Sequence, residues 1–270
     1  MRIQAASDLH METRKGVTLD DMLSHETVDL IVLAGDIATG TFGVEAAAEL
    51  SAARNTPVVY VLGNHEYYGW HFPRLAEHCR ELAIELNSGG HGEVHVLERE
   101  QIRLQGIRIL GTTLWTDYRL HTHDDVHLIT RNRRLAARNL ADHHFIHTEG
   151  GLFQPEHAQR AHQQSRAWLE RHLASAWQGP TVVVTHHAPL PQLGHPDFPG
   201  DGLASAFGSD LSMLIRQHPP ALWISGHTHA NADLTFRGTR FIANQAGYPA
   251  EEPGRIGNAV FEPGKVVTVE

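Results

Sequence analysis

The chain has 270 residues, a single cysteine and a formal net charge of -9. That length suits one large α/β domain with a sizeable core, and the acidic balance argues against a protein whose main work is gripping nucleic-acid phosphates. No apolar run reaches transmembrane length, the opening residues carry no signal pattern and a lone cysteine forms no internal disulfide, so a soluble cytoplasmic protein with no membrane partner is expected.

In chain order, short apolar runs alternate with helical patterns. "RIQAAS" reads as a strand leading to Asp8, "VDLIVLAG" as one leading to Asp36 and "PVVYVLG" as one leading to Asn64. Between them "TFGVEAAAELSAARN" and "FPRLAEHCRELAIEL" have helical spacing, and Cys79 falls on the core side of the second. "VHVLERE" and "IRLQGIRILGTT" alternate and turn at glycine, as antiparallel hairpins do. The segment 115–155 is irregular, partly helical and rich in histidine, and reads as an excursion over the face that the strand ends define. After the helical "PEHAQRAHQQSRAWLERHLASAW" come the strand "PTVVVT" leading to His186, the helical "LASAFGSDLSMLIRQ", and the strand "ALWISG" leading to His227. "DLTFRGTRFIANQ" and "AVFEPGKVVTVE" read as closing hairpins. Runs of Val, Ile and Leu without alternation mark strands buried on both faces, so two packed mixed sheets flanked by helices are expected.

Five of these strands end in metal-capable residues, and ligands of α/β sheets bind beyond the carboxyl ends of the strands. Each residue alone reads as a cap or a turn. With 22 histidines in the chain, a pair such as His121 and His123 means little by itself. Jointly, however, the strand ends offer about seven N and O donors and no thiolate, more than one tetrahedral ion needs. Such a set suits two ions of Mn, Fe, Zn, Co or Mg held roughly 4 Å apart, with a carboxylate as the natural bridge.

"DLH", "GD", "GNHE", "HH" and "GHTH", in this order between residues 8 and 229, resemble the calcineurin-like metallophosphoesterase superfamily, as does the later "FIANQAGYP". The resemblance implies a four-layer α/β/β/α sandwich with mixed sheets; with no linker or repeat to divide it, the chain reads as a single domain over residues 1–270 with the cap-like excursion at 115–155. The resemblance also implies Asp8, His10 and His229 on a first divalent metal ion, Asn64, His186 and His227 on a second, and Asp36 bridging them. His65 would be the catalytic residue, assisting the departing oxygen, with Glu66 orienting it, while a hydroxide activated by the metals attacks phosphorus.

The expected activity is hydrolysis of small phosphomonoesters or phosphodiesters, the partner being a small phosphorylated metabolite or nucleotide and neither duplex nucleic acid nor phosphoprotein. Alternatives are a cyclic-nucleotide phosphodiesterase and a non-catalytic, metal-stabilised binding module on the same scaffold. His187 is assigned to a contact behind the ligands or with substrate, because adjacent strand residues point to opposite sides. Tyr67 and Tyr68 read as packing residues, Asp117 as a weaker site candidate, and "RNRRLAARN" as a solvated basic face. The excursion is expected to form the wall of the site.

Overall fold

The computed structural model describes residues 1–200 and 202–270. β1 (Arg2–Ala6), β2 (Leu30–Leu33), β3 (Val58–Tyr60) and β4 (Val94–Val96) lie side by side in parallel. They are joined through α1 (Leu19–Met22), α2 (Phe42–Arg54) and α3 (Arg74–Ser88). α3 buries Leu75, Cys79 and Ala83, spaced by four, which places the lone thiol in the core.

The chain crosses to a second sheet through the antiparallel hairpin of β5 (Glu100–Leu104) and β6 (Ile107–Thr112). The excursion that follows carries α4 (Val126–Asn139), α5 (Asp142–Phe145) and a small ribbon of β7 (His147–Thr148) and β8 (Gly151–Leu152). The Asp125 carboxylate accepts the backbone N–H groups of His127 and Leu128 and so starts α4. α6 (Pro155–Ala174) opens on a proline, whose missing N–H costs nothing in the first turn. It leads to β9 (Thr181–Thr185), and α7 (Ser212–Gln217) leads to β10 (Leu222–Ser225). β11 (Ala230–Phe236) and β12 (Thr239–Ala243) form a hairpin, β13 (Gly254–Arg255) pairs with β11, and β14 (Val266–Thr268) returns to the first sheet.

The sheets have strand orders β14-β1-β2-β3-β4 and β13-β11-β12-β10-β9-β6-β5. One apolar cluster, including Ile3, Val32, Ile109, Val184 and Ile224, fills the space between them. A second joins the outer face of the first sheet to α2 and α3, and a third joins the outer face of the second sheet to α6 and α7. This is the expected mixed α/β sandwich, and burial on both faces explains why its strands do not alternate.

Three local expectations are corrected. "VHVLERE" does not begin a hairpin, because Val94–Val96 pairs in parallel with β3 before the chain changes sheet. "AVFEPGKVVTVE" does not fold on itself either, because Val266–Thr268 pairs antiparallel with β1 and covers that edge. The helix expected over 203–217 is broken into a 3₁₀ turn at Ala204–Ala206 and α7. Between them Phe207 and Ser209 exchange backbone hydrogen bonds with Ala188, which takes that stretch out of helical register.

Candidate active site

The strand ends converge on one edge of the sandwich. Asp8 and His10 follow β1, Asp36 follows β2, Asn64 and His65 follow β3, His186 follows β9, and His227 and His229 follow β10. Donor atoms of Asp8, His10 and His229 lie within 4.8 Å of one another, as do those of Asp36, His186 and His227 and those of His10, Asp36 and His65. Every sequence-predicted metal ligand and His65 therefore lies at this edge, and the cluster is one that could hold metal.

Close packing at the edge requires glycines. A Cβ on Gly63 would meet Asp36 Oδ1 at 2.1 Å, and one on Gly226 would meet Asp8 Oδ2 at 2.5 Å. The backbone is also unusual: Asp8, His10, Asp36, His227 and His229 have φ of 53°, 45°, 54°, 71° and 49°. Asp and His tolerate the left-handed region better than most side chains, and strain of this kind clusters at functional sites.

Hydrogen bonds fix how the imidazoles point. His10 Nδ1 lies 3.2 Å from Glu12 Oε1, and His229 Nδ1 lies 2.5 Å from Glu251 Oε2. With each Nδ1–H donated to a carboxylate, the two Nε2 atoms bring their lone pairs together at 3.1 Å, beside Asp8 Oδ1 at 3.4 Å from His229 Nε2. His186 likewise donates from Nδ1 to the Ala34 carbonyl at 2.8 Å. Its Nε2 faces Asn64 Oδ1 at 3.0 Å, His227 Nδ1 at 3.2 Å and Asp36 Oδ1 at 3.4 Å. Acceptors crowded this closely repel one another unless a cation lies among them, and N and O donors of this kind suit a divalent metal.

The electrostatics agree. Burial alone would raise the Asp36 carboxyl, but the imidazoles of His186 and His65 outweigh it and hold it well below the usual carboxylate range. Burial opposes charge on His229 too, yet Asp8 and Glu251 lift its pKa to about 10. A field that favours an imidazolium favours a metal cation at the same place. Burial, with His187 and His186 alongside, pushes His227 well below the ordinary imidazole value and keeps it a neutral donor.

His65 is held differently from the expectation. Glu66 does not touch it: its carboxylate is buried and accepts the backbone N–H groups of Asp36, Ile37 and Gly63 and the Tyr60 hydroxyl. Glu66 thus braces the loops that present Asp36 and Asn64. The carboxylate at His65 is Glu12, whose Oε1 is 3.1 Å from Nδ1, while the Tyr248 hydroxyl is 3.1 Å from Nε2. Burial works against the charged ring, but Asp36 and Glu12 raise its pKa to about 9.

Among the other candidates, His187 is buried behind the donor cluster, its ring 4.1 Å from that of His227 and 5.2 Å from that of Trp115. Tyr67 packs in the core against Phe72 and Trp115. Tyr68 is more than packing: its hydroxyl donates to Asp142 Oδ1 at 2.8 Å, and the Asn64 amide donates to the same oxygen at 2.8 Å. Asp117 stands apart from the cluster, near His162. Sequence reasoning missed Glu12, Asp142, Tyr248 and Glu251. Glu12 lies two residues beyond His10, and Tyr248 and Glu251 lie in or just past "FIANQAGYP", so position alone could have flagged these three.

A cavity of about 570 Å³ opens from the cluster to the surface. One side comes from the excursion, through Leu120, His121 and Asn139 to Asp142, as expected. The opposite side, from Pro191 to Gly200 and from Leu203 to Phe207, was not anticipated.

The chain thus folds as a mixed α/β sandwich with N and O donors gathered at its strand ends, where they could hold metal. The chain belongs to the calcineurin-like phosphoesterase family, whose model matches residues 1–231. An uncharacterized protein of Acanthamoeba polyphaga mimivirus is 26% identical over 219 residues, covering 72% of this chain and 69% of that one. The crystal structure of phosphopantetheinyl hydrolase from Mycobacterium tuberculosis is similar with a TM-score of 0.67 at 20% identity, over 92% of this chain and 89% of that one. That likeness supports the fold.

Proposed function

We propose that this protein is a dinuclear metal-dependent phosphoesterase for small phosphomonoesters or phosphodiesters, built as a single domain with residues 115–155 as a cap over the site. The observation that carries this reading is the convergence of Asp8, His10 and His229 beside Asp36, His186 and His227. The first three would hold one ion and Asn64, His186 and His227 the other, with an oxygen of Asp36 for each. Mn, Fe, Zn, Co and Mg all suit the donors. Two such ions, when bound, supply a water of lowered pKa and neutralise the phosphoryl oxygens.

The chain's own groups do the rest. Glu12 and Glu251 hold the Nδ1–H groups of His10 and His229, so that both Nε2 atoms face inward. Asp142 turns the Asn64 amide so that its oxygen points at His186 Nε2. His65, paired with Glu12 through Nδ1, donates its Nε2 proton to the departing oxygen, and the Tyr248 hydroxyl marks where that oxygen docks. The described residues include no helix long and apolar enough to cross a membrane. The buried free thiol of Cys79 suits the cytoplasmic location expected from the sequence.

Elemental analysis of purified protein, followed by assay of aryl mono- and diesters, a cyclic nucleotide, a nucleoside monophosphate and a phosphopantetheinyl ester, tests the reading. Two equivalents of metal and turnover of a small ester are expected. One ion or none would overturn the dinuclear assignment, and two ions without turnover would make the chain a binding module.

A further inference from the structure

The cavity beyond the donor groups is lined largely by apolar side chains from the cluster to the mouth. At the inner end the Phe207 ring stacks on His227 with centroids 4.8 Å apart and planes 26° from parallel. At the outer end Phe198 is 58% exposed and lies 5.0 Å from the His195 ring. Leu203 and Pro196 continue this side, and Leu120 and Leu140 face them from the excursion.

Apart from the imidazoles of the cluster, the charge of the lining is one-sided. Its carboxylates are Asp36, Asp142 and Glu251, and none of the described lining residues is Arg or Lys. Two of the three are engaged at the cluster: Asp36 with His186 and Glu251 with His229. Asp142 accepts from Asn64 and Tyr68. None of the arginines of α4 lines the cavity, and Arg133 pairs with Glu156 instead.

One anionic group can be neutralised at the strand ends, but a second would lie among apolar side chains, Asp142 and the imidazoles of His121 and His195, with no Arg or Lys to meet it, which is costly. A neutral apolar body, by contrast, gains from leaving water along the whole length of the walls. We infer that the cavity takes an ester with one phosphoryl group on a neutral alkyl or aryl body and discriminates against substrates carrying a second anionic group, such as nucleoside diphosphates. The inference rests on the phosphoesterase reading for what binds at the strand ends, and it concerns the walls.

Phosphonates, which are not hydrolysed, separate the two. Titration calorimetry on the metal-loaded protein would compare ethyl-, butyl- and hexylphosphonate with the carboxylate-ended analogue of hexylphosphonate. Affinity should rise about threefold per methylene from ethyl to hexyl. The carboxylate-ended analogue should bind about tenfold more weakly than hexylphosphonate. Phe198→Arg, at an exposed position, should narrow that gap by about threefold by supplying the missing cation. Affinity independent of chain length, equal or tighter binding of the carboxylate-ended analogue, or no binding of any phosphonate would overturn the assignment. A protein that binds hexylphosphonate as expected yet hydrolyses no ester would overturn the phosphoesterase reading and leave the walls standing. Turnover of ethyl phosphate with no preference for longer chains would do the reverse.

Discussion

At the strand ends, polar side chains are set by the sheet itself: Asp8, Asp36 and His186 each stand within three residues of a strand's last residue and are buried. Along the cavity, apolar side chains are set by loops, with Leu120 and Leu140 on one side and Pro196 and Phe198 on the other. In the first region His10, His186 and His229 are each held through Nδ1 by a second hydrogen bond, to Glu12, Ala34 and Glu251. The second keeps more freedom, with Phe198 more than half exposed. Chemistry and selectivity therefore lie on different parts of the chain, and substitutions should separate them.

The largest effect is expected at Asp36. Removing its charge with Asp36→Asn should lower kcat/KM by about 10³-fold, a loss of the kind seen when a main electrostatic element of a site is removed. Elemental analysis should show metal lost as well, and full activity with two ions bound would sink the bridging role. His65→Ala should keep both ions and lose about 10²-fold in turnover, with the loss shrinking as the leaving group improves. A leaving-group series measured on this variant reads that slope, and metal loss would make His65 a ligand.

Asp142→Ala sharpens the comparison, because Asp142 lines the cavity yet holds Asn64. Metal affinity should fall about tenfold, as when an outer hydrogen-bond partner of a ligand is removed. Leu140→Ala, two residues away, should leave metal affinity within about twofold and cost about 1 kcal/mol in chemical denaturation. Equal metal loss in the two variants would mean that walls and floor are not separable. Smallest is the thermal effect of the ions themselves. Metal at 100 times its Kd should raise Tm by roughly 5–10 °C over chelated protein, since about 2.7 kcal/mol of linkage is spread over a chain of this size. Scanning calorimetry of wild type and Asp36→Asn should show the shift shrinking in the variant.

The floor was legible in the sequence because each candidate ligand follows a short, largely apolar run, so a local pattern announces both the strand and its end. Glu66 shows the limit of that logic. It follows His65 directly, but a 3₁₀ turn over His65–Tyr67 carries its side chain into the core, where four donors meet it. Contact between Asn64 and Asp142 spans 78 residues, and no local pattern encodes it. The wall from Pro191 to Gly200 and from Leu203 to Phe207 is rich in proline and glycine and has no hydrophobic period to read. The lost helix at 203–217 and the hairpins that became sheet edges fail for the same reason: the partner that decided each was far away in sequence.

The left-handed backbone at Asp8, His10, Asp36, His227 and His229 reaches beyond catalysis. Strain of about 1 kcal/mol at each, borne by the fold at all times, is a large share of the total stability of a typical domain. Bound ions offset it only when they are supplied. Chains made under metal starvation would therefore unfold more often and meet proteases more often, and cellular abundance would follow metal supply with no change in synthesis. The same five residues are the ones that selection for stability alone would discard first.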